Sequence, residues 1–142
     1  MSNLQSLAAA GKPFAAVSSN PAVNTDVTIT VPAGNKWLLL SAFLTIVQGA
    51  TQTPLPSLVV SDNLGNVVGT FAGASAATSA STTSTFSWQP KSDLTAGAGA
   101  TANRAPIPEG LVVKGGWTIA TSTAGKGANT DLSALTLHVI KL

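Results

Sequence analysis

The sequence predicts an all-β fold, an antiparallel two-sheet β-sandwich of jelly-roll type with about eight strands. Three observations predict it. Apolar and polar residues alternate with period two in most of the apolar segments, as on a half-buried strand. Turn-forming Gly, Pro, Asn and Asp recur between those segments. No segment carries a convincing helical period; residues 4–10 have room for one turn of helix, which would be marginal alone.

Taken in chain order, a weak strand is expected near residues 14–18. In VNTDVTITVP, Val27, Ile29 and Val31 point one way and Thr28 and Thr30 the other. Pro32-Ala33-Gly34-Asn35 then supplies a turn, proline fixing φ and glycine free to take φ > 0. KWLLLSAFLTIV, residues 36–47, reads as a central strand, although its apolar run is also compatible with a short buried helix. Residues 58–61 and 66–71 flank Asp62-Asn63-Leu64-Gly65 and form a hairpin. Residues 72–85 contain only Ala, Gly, Ser and Thr, so the first half of that run is expected to be a mobile loop. A strand emerges near Thr82, with Thr82, Ser84, Phe86 and Trp88 on one face. KSDLTAGAGATANRAP is read as a second loop that Pro106 and Pro108 end in extended geometry. Residues 111–113 form a short strand or edge, and Gly115-Gly116 turns the chain into a strand in which Trp117, Ile119 and Thr121 share a face. In the last strand Leu135, Leu137 and Val139 alternate with Thr136, His138 and Ile140. The chain divides into an extended N-terminal arm, residues 1–11, and one sandwich domain, residues 12–142.

Composition excludes several classes of function. Charged residues make up 8% of the chain, against about 25% in an ordinary soluble domain. The seven Lys and Arg are scattered singly, with no stripe to track a phosphate backbone, so nucleic acid is not an expected partner. Cysteine is absent, which removes disulfides, thiolate nucleophiles and zinc–thiolate sites. No apolar run approaches the length that spans a bilayer, and the N-terminus lacks a basic region and an apolar core of signal-peptide length. The chain therefore reads as mature, soluble and non-secreted, with no membrane partner. With 23 Ala, 15 Ser and 18 Thr, its surface is wetted by hydroxyl groups in place of charges, as on a protein covered by identical neighbours.

The motifs that carry chemistry in other proteins find bland explanations here. GAGATA, residues 97–102, matches a dinucleotide-binding spacing, but two prolines follow at once and no helix is available to hold a pyrophosphate. The only histidine, His138, lies on the polar face of the last strand, without a serine elbow beside it. Asp26, Asp62, Asp93, Glu109 and Asp131 sit in turns and loops, where side chains cap their own backbone, and a loop calcium is the minor alternative. No catalytic, cofactor-binding or metal-ligating residue is assigned, and no cofactor or small-molecule substrate is expected. Trp37 and Trp117 each open an apolar strand after a glycine-containing turn and are expected to cap the ends of the core. Trp88, if exposed, would be the stacking residue of a glycan-binding site.

Two segments carry a resemblance. ITVPAGNKWLLLSAFLTI, residues 29–46, resembles a strand–V-P-A-G–strand corner, and PEGLVVKGGWTIATS, residues 108–122, resembles a P-x-G-L-x-x-x-x-G-W-T-I corner. Both are similar to corners of small β-sandwich virion proteins of tailed bacteriophages, including capsid cement or decoration proteins. The resemblance implies a jelly-roll-like protomer, a homotrimer, made in the host cytoplasm and bound to the major capsid protein on the outer surface of the virion. It would stabilise contacts between neighbouring shell subunits, and it transfers no functional residue because the matching positions are structural. Within that reading the N-terminal segment MSNLQSLAAAGKPF is the candidate clamp, with Leu4, Leu7 and Phe14 as assembly contacts. The alternative is a tail or head-fibre-associated module that binds host glycans through Trp88, and a hydrolase dependent on His138 is the third reading.

Overall fold

Residues that alternate in the sequence alternate in space. The computed structural model describes residues 11–47, 54–73, 83–93 and 103–142. Their eleven strands are β1 Pro13–Val17, β2 Thr28–Thr30, β3 Lys36–Val47, β4 Leu55–Ser61, β5 Val67–Ala72, β6 Thr83–Pro90, β7 Asn103–Ile107, β8 Val112–Lys114, β9 Thr118–Ala124, β10 Asp131–Leu132 and β11 Thr136–Lys141. A seven-stranded sheet runs β1-β11-β3-β6-β7, with β8 and β10 also paired to β3. A four-stranded sheet runs β2-β9-β4-β5. The two pack face to face as an all-β sandwich, and the long central strand is β3, as its apolar run predicts.

The core forms where the inward residues of both sheets meet. Leu39, Ala42, Leu44 and Ile46 from β3, Phe86 and Trp88 from β6, and Leu137 and Val139 from β11 face Leu58 and Val60 of β4 and Ile119 of β9. Each large side chain buried this way contributes about 1.5–3 kcal/mol over leaving it in water. The Asp62-Asn63-Leu64-Gly65 hairpin turn forms as predicted: Gly65 has φ +86° and its amide donates to the Asp62 carbonyl at 3.1 Å.

Three expectations are corrected. Residues 103–107, read as the end of a loop, form β7, which pairs in parallel with β6 from Phe86↔Asn103 to Pro90↔Ile107. Two prolines obscured a strand whose alternation is intact, with Asn103, Ala105 and Ile107 buried. Pro106 is tolerated because β7 is an edge strand, where an absent N–H breaks no ladder bond. The two-residue strand β10 is too short to leave a periodic signal. Ile140 is buried, although strict alternation turns it outward with His138. The β11–β3 ladder slips between His138 and Val139, where Leu40 is the extra residue on β3, so β3 turns Ala42, Leu44 and Ile46 inward on one side of the bulge and Trp37 and Leu39 on the other. Val139 stays in the core cluster, and Ile140 is buried outside it, between Leu38 of β3 and Pro13 of β1 in the ladder.

The two corners singled out in the sequence pack against each other. The Gly116 amide donates to the Val31 carbonyl at 2.8 Å, and the Val31 amide donates to the Trp117 carbonyl at 2.8 Å. Gly115 is required by proximity: a Cβ there would lie 2.8 Å from the Gly34 nitrogen and 3.0 Å from the Pro32 carbonyl oxygen. Trp37, at the start of β3, is buried and meets the ring of Phe14 edge-on at 5.8 Å, while Trp117 packs partly buried against the core. Both therefore lie at the end of the core where the two corners meet.

Candidate functional site

A sandwich offers partners its two outer faces, its edges and its loops. On the seven-stranded sheet one row crosses five strands as Val17, Thr136, Phe43, Ser87 and Arg104. The next row carries Ala15, His138 and Ser41. Val17, Phe43, Arg104 and His138 are exposed. The Ser41 hydroxyl and His138 Nδ1 are hydrogen-bonded at 2.9 Å, an exposed pair that sequence reasoning could not find because 97 positions separate its members.

The four-stranded sheet presents a different chemistry. Its outer rows are Thr28–Ala120–Val59–Thr70, Thr30–Thr118–Ser61–Val67, Ser122–Ser57–Ala72 and Ala124–Leu55. All of these residues are at least partly exposed, and none is charged or titratable. Beside the Thr30–Thr118–Ser61–Val67 row, where the β4–β5 turn projects, Leu64 is 81% exposed, Val67 62% and the bulge residue Val68 52%. The signal for this face was present in the sequence as the hydroxyl-rich, charge-poor composition, but which strands share the face is a matter of register.

Asp26 and Asp62 are held by donors around them, whereas Asp131, expected in a turn or loop, lies in strand β10. Asp26 Oδ1 accepts from the Thr121 hydroxyl at 2.9 Å and the Thr123 hydroxyl at 2.7 Å, and Asp26 Oδ2 pairs with Lys126. The Thr121 hydroxyl in turn accepts from the Val27 amide at 3.0 Å, so the cluster ties the start of the second strand to β9. Burial by itself pushes the Asp26 carboxyl up, but donation from Lys126, Thr123 and Thr121 outweighs it and holds the group below its ordinary value. Asp62 accepts from the Leu64 amide at 2.8 Å, the Asn66 amide at 2.9 Å and the Asn66 side-chain amide at 2.9 Å. The Asn66 side chain is the main cause of its lowered pKa. Asp62 thus caps its own turn, as expected. Lys91 and Glu109 form an exposed ion pair at 3.3 Å, of a kind that contributes little.

Of the expected contact residues, the structure describes Phe14 and Trp88. Leu4 and Leu7 lie outside the described residues, as do GAGATA and most of the Ala/Gly/Ser/Thr run. Phe14 belongs to edge strand β1, pairs with Val139 and stays 40% exposed while packing on Trp37. Trp88 corrects the glycan expectation. It is fully buried among core side chains, and its indole N–H donates to the Phe71 carbonyl at 3.1 Å, so no ring face is open to a sugar. The inward face of β6 carries Phe86 and Trp88 together, and a residue of that size is buried there because the opposing sheet covers it.

No protein-family model matches the chain, and no curated protein sequence matches it. Among solved structures, the chain is similar to one in the structure of infectious bursal disease virus Gx strain. The TM-score is 0.47 at 11% identity, over 91% of this chain and 32% of that one. It is also similar to a chain in the structure of the Gt strain, with a TM-score of 0.26 at 13% identity, over 92% of this chain and 29% of that one. This chain spans about a third of the length of those it matches.

Proposed function

We propose that this chain is a non-catalytic structural virion protein, a capsid decoration or cement protein. In this reading it binds as a homotrimer to the outer surface of a bacteriophage head and stabilises contacts between major capsid protein subunits. The observation that carries the reading is a two-sheet body whose smaller sheet turns outward hydroxyl, small and aliphatic residues and no charged one. Such a face has no charges to strip of water when a neighbour covers it, and desolvating charges is the main cost of burying a polar surface. The phage class comes from the resemblance of the two corners, which pack together at one end of the sandwich.

Symmetry supplies the mechanism. A shell repeats one contact many times, so a modest contribution from each copy adds up across the particle. A body with a continuous core transmits load between neighbouring subunits without deforming, because close-packed interiors have low compressibility. Asp26 and Asp62 are held by local donors, and the partner of His138 is a serine on an open sheet face.

The test is the protein content of DNA-filled particles purified from cells that make this chain. The expected result is a fixed ratio of this protein to the shell subunit, together with raised thermal stability of empty shells after the purified protein is added. Particles free of the protein, and shells whose melting it leaves unchanged, would overturn the proposal. Deleting residues 2–11, which removes the arm and its Leu4 and Leu7, is expected to lower occupancy on shells while the sandwich still folds.

A further inference from the structure

We infer that the end of the sandwich where the two corners meet is a docking surface for an acidic protein segment that also carries apolar side chains. Four of the seven Lys and Arg residues, scattered along the chain, are gathered there by strand register. Lys36 of β3 stands opposite Lys114 of β8, and Lys141 of β11 stands opposite Trp37, the next residue of β3. Lys12 precedes Pro13, whose partner is Ile140, so it lies beside Lys141. All four are exposed. Strands about 4.8 Å apart place the four lysines within a span of roughly 15 Å.

Folding alone does not call for this gathering. Like charges directly opposite in a ladder destabilise it. The Lys36 carbonyl accepts from the Leu142 amide on the β11 side, so Lys36 and Lys114 form a non-hydrogen-bonded pair, the kind in which side chains stand closer. No Asp or Glu side chain pairs with any of the four lysines among the described residues. Lys91 and Lys126 are instead matched with Glu109 and Asp26, and Arg104 lies apart on edge strand β7. Lys114 Nζ lies 5.9 Å from the centre of the Trp117 ring, an attraction that keeps the ammonium group at this end.

Charge complementarity and an apolar neighbour together select the occupant. A Cβ on Gly116 would lie 3.2 Å from that of Asn63, so the β4–β5 turn sits beside the turn that runs from Lys114 to Trp117. It presents Leu64, 81% exposed, and Val67, 62% exposed. The hydrogen bonds of Asp62 hold this tip in shape before any partner arrives, which lowers the entropy lost on binding. A protein segment with both carboxylates and apolar side chains meets the lysines and Leu64 at once. A nucleic acid meets only the lysines. Its phosphates continue past them, and here the cations give way to an apolar tip beside the Asp62 carboxylate.

The experiment titrates the isotope-labelled full chain with a short peptide of Glu and Leu, followed by NMR. The same peptide with Ser in place of Leu, and a short DNA duplex, serve as comparisons. The Glu/Leu peptide is expected to shift the amides of Lys36, Lys114 and Leu64 and to bind more weakly as salt screens the charges. Lys36→Glu or Lys141→Glu is expected to weaken it at least about fivefold and Leu64→Ser at least about threefold. Arg104→Glu, the same change of charge on β7, is expected to leave it unaltered. Lys36→Glu sets a carboxylate opposite Lys114, so lost binding is not lost folding, and far-UV circular dichroism checks this. No amide shifts at this end, an equal loss in Arg104→Glu, or binding of the Ser peptide or the duplex as tight as that of the Glu/Leu peptide would overturn the inference. Shells take no part in this readout, so its failure leaves the decoration reading standing.

Discussion

The seven-stranded sheet turns His138, Arg104, Val17 and Phe43 to solvent, whereas the four-stranded sheet turns out threonine, serine, alanine, valine and one leucine without a charge among them. Inside, the two sheets are alike, each giving alternate residues to one shared core. The difference teaches that one period-two pattern serves two ends. The inward residues are selected for volume and fix the fold, while the outward residues are free to be selected for what covers them.

Breaking the shared inner side is expected to produce the largest effect. Trp88→Ala removes a fully buried indole from β6 and the donor that it extends to the Phe71 carbonyl of β5. A loss of about 3–5 kcal/mol in urea unfolding is expected. Trp88→Phe keeps most of the volume and is expected to lose about 1–3 kcal/mol, mainly from the orphaned carbonyl.

The corner between the sheets comes next. Gly115→Ala places a methyl group against backbone atoms of Gly34 and Pro32, which cannot rotate away as a side-chain tip would. A loss of about 1–3 kcal/mol is expected, read as a lowered thermal midpoint.

The Asp26 cluster tests how the small sheet is tied to the chain that leads into it. Asp26→Asn removes the ion pair with Lys126 and weakens two hydroxyl contacts, at an expected cost of about 1–2 kcal/mol near neutral pH. The folded-state pKa of Asp26 lies below its ordinary value of 3.8. Its contribution is therefore complete above that value and lost as pH falls through the folded pKa. Wild type and Asp26→Asn should converge in stability when titrated into strong acid; a gap that widened instead would contradict the assignment.

Two smaller effects sharpen the comparison. Ser84 points into the core, and its hydroxyl has no hydrogen-bond partner among the described residues, so Ser84→Ala is expected to be neutral or stabilising by up to about 1 kcal/mol. Lysine at Thr85 or Ser122, on opposite outer faces, is expected to change monomer stability by no more than about 0.5 kcal/mol. Equal monomer stability with unequal occupancy on shells would separate the two faces by function and not by folding.

Much of the fold was legible because its signals are local. The alternation around Val27, Ile29 and Val31, the run at residues 36–47 and the Asp62–Gly65 turn each declare themselves within a few residues, and each stands where it was expected. Strand β7 was not legible. Its parallel pairing with β6 depends on a crossover, and its prolines are harmless only because the strand lies at an edge. The burial of Ile140 was hidden because it lies outside the core cluster, on a strand flanked by β1 and β3, neighbours that are far away in the chain.

The candidate site divides along the same line. The sequence by itself determined that this chain is β-structured, poor in charge and rich in hydroxyls, because periodicity, turn chemistry and composition reside in neighbouring residues or in their sum. Only the tertiary structure decided that Trp88 is buried, that His138 meets Ser41, and that Thr28, Ala120, Val59 and Thr70 form one uncharged row. The physical reason is register: strands distant in the chain are aligned by the packing of a shared core, and a slip of one residue would turn every inward side chain outward.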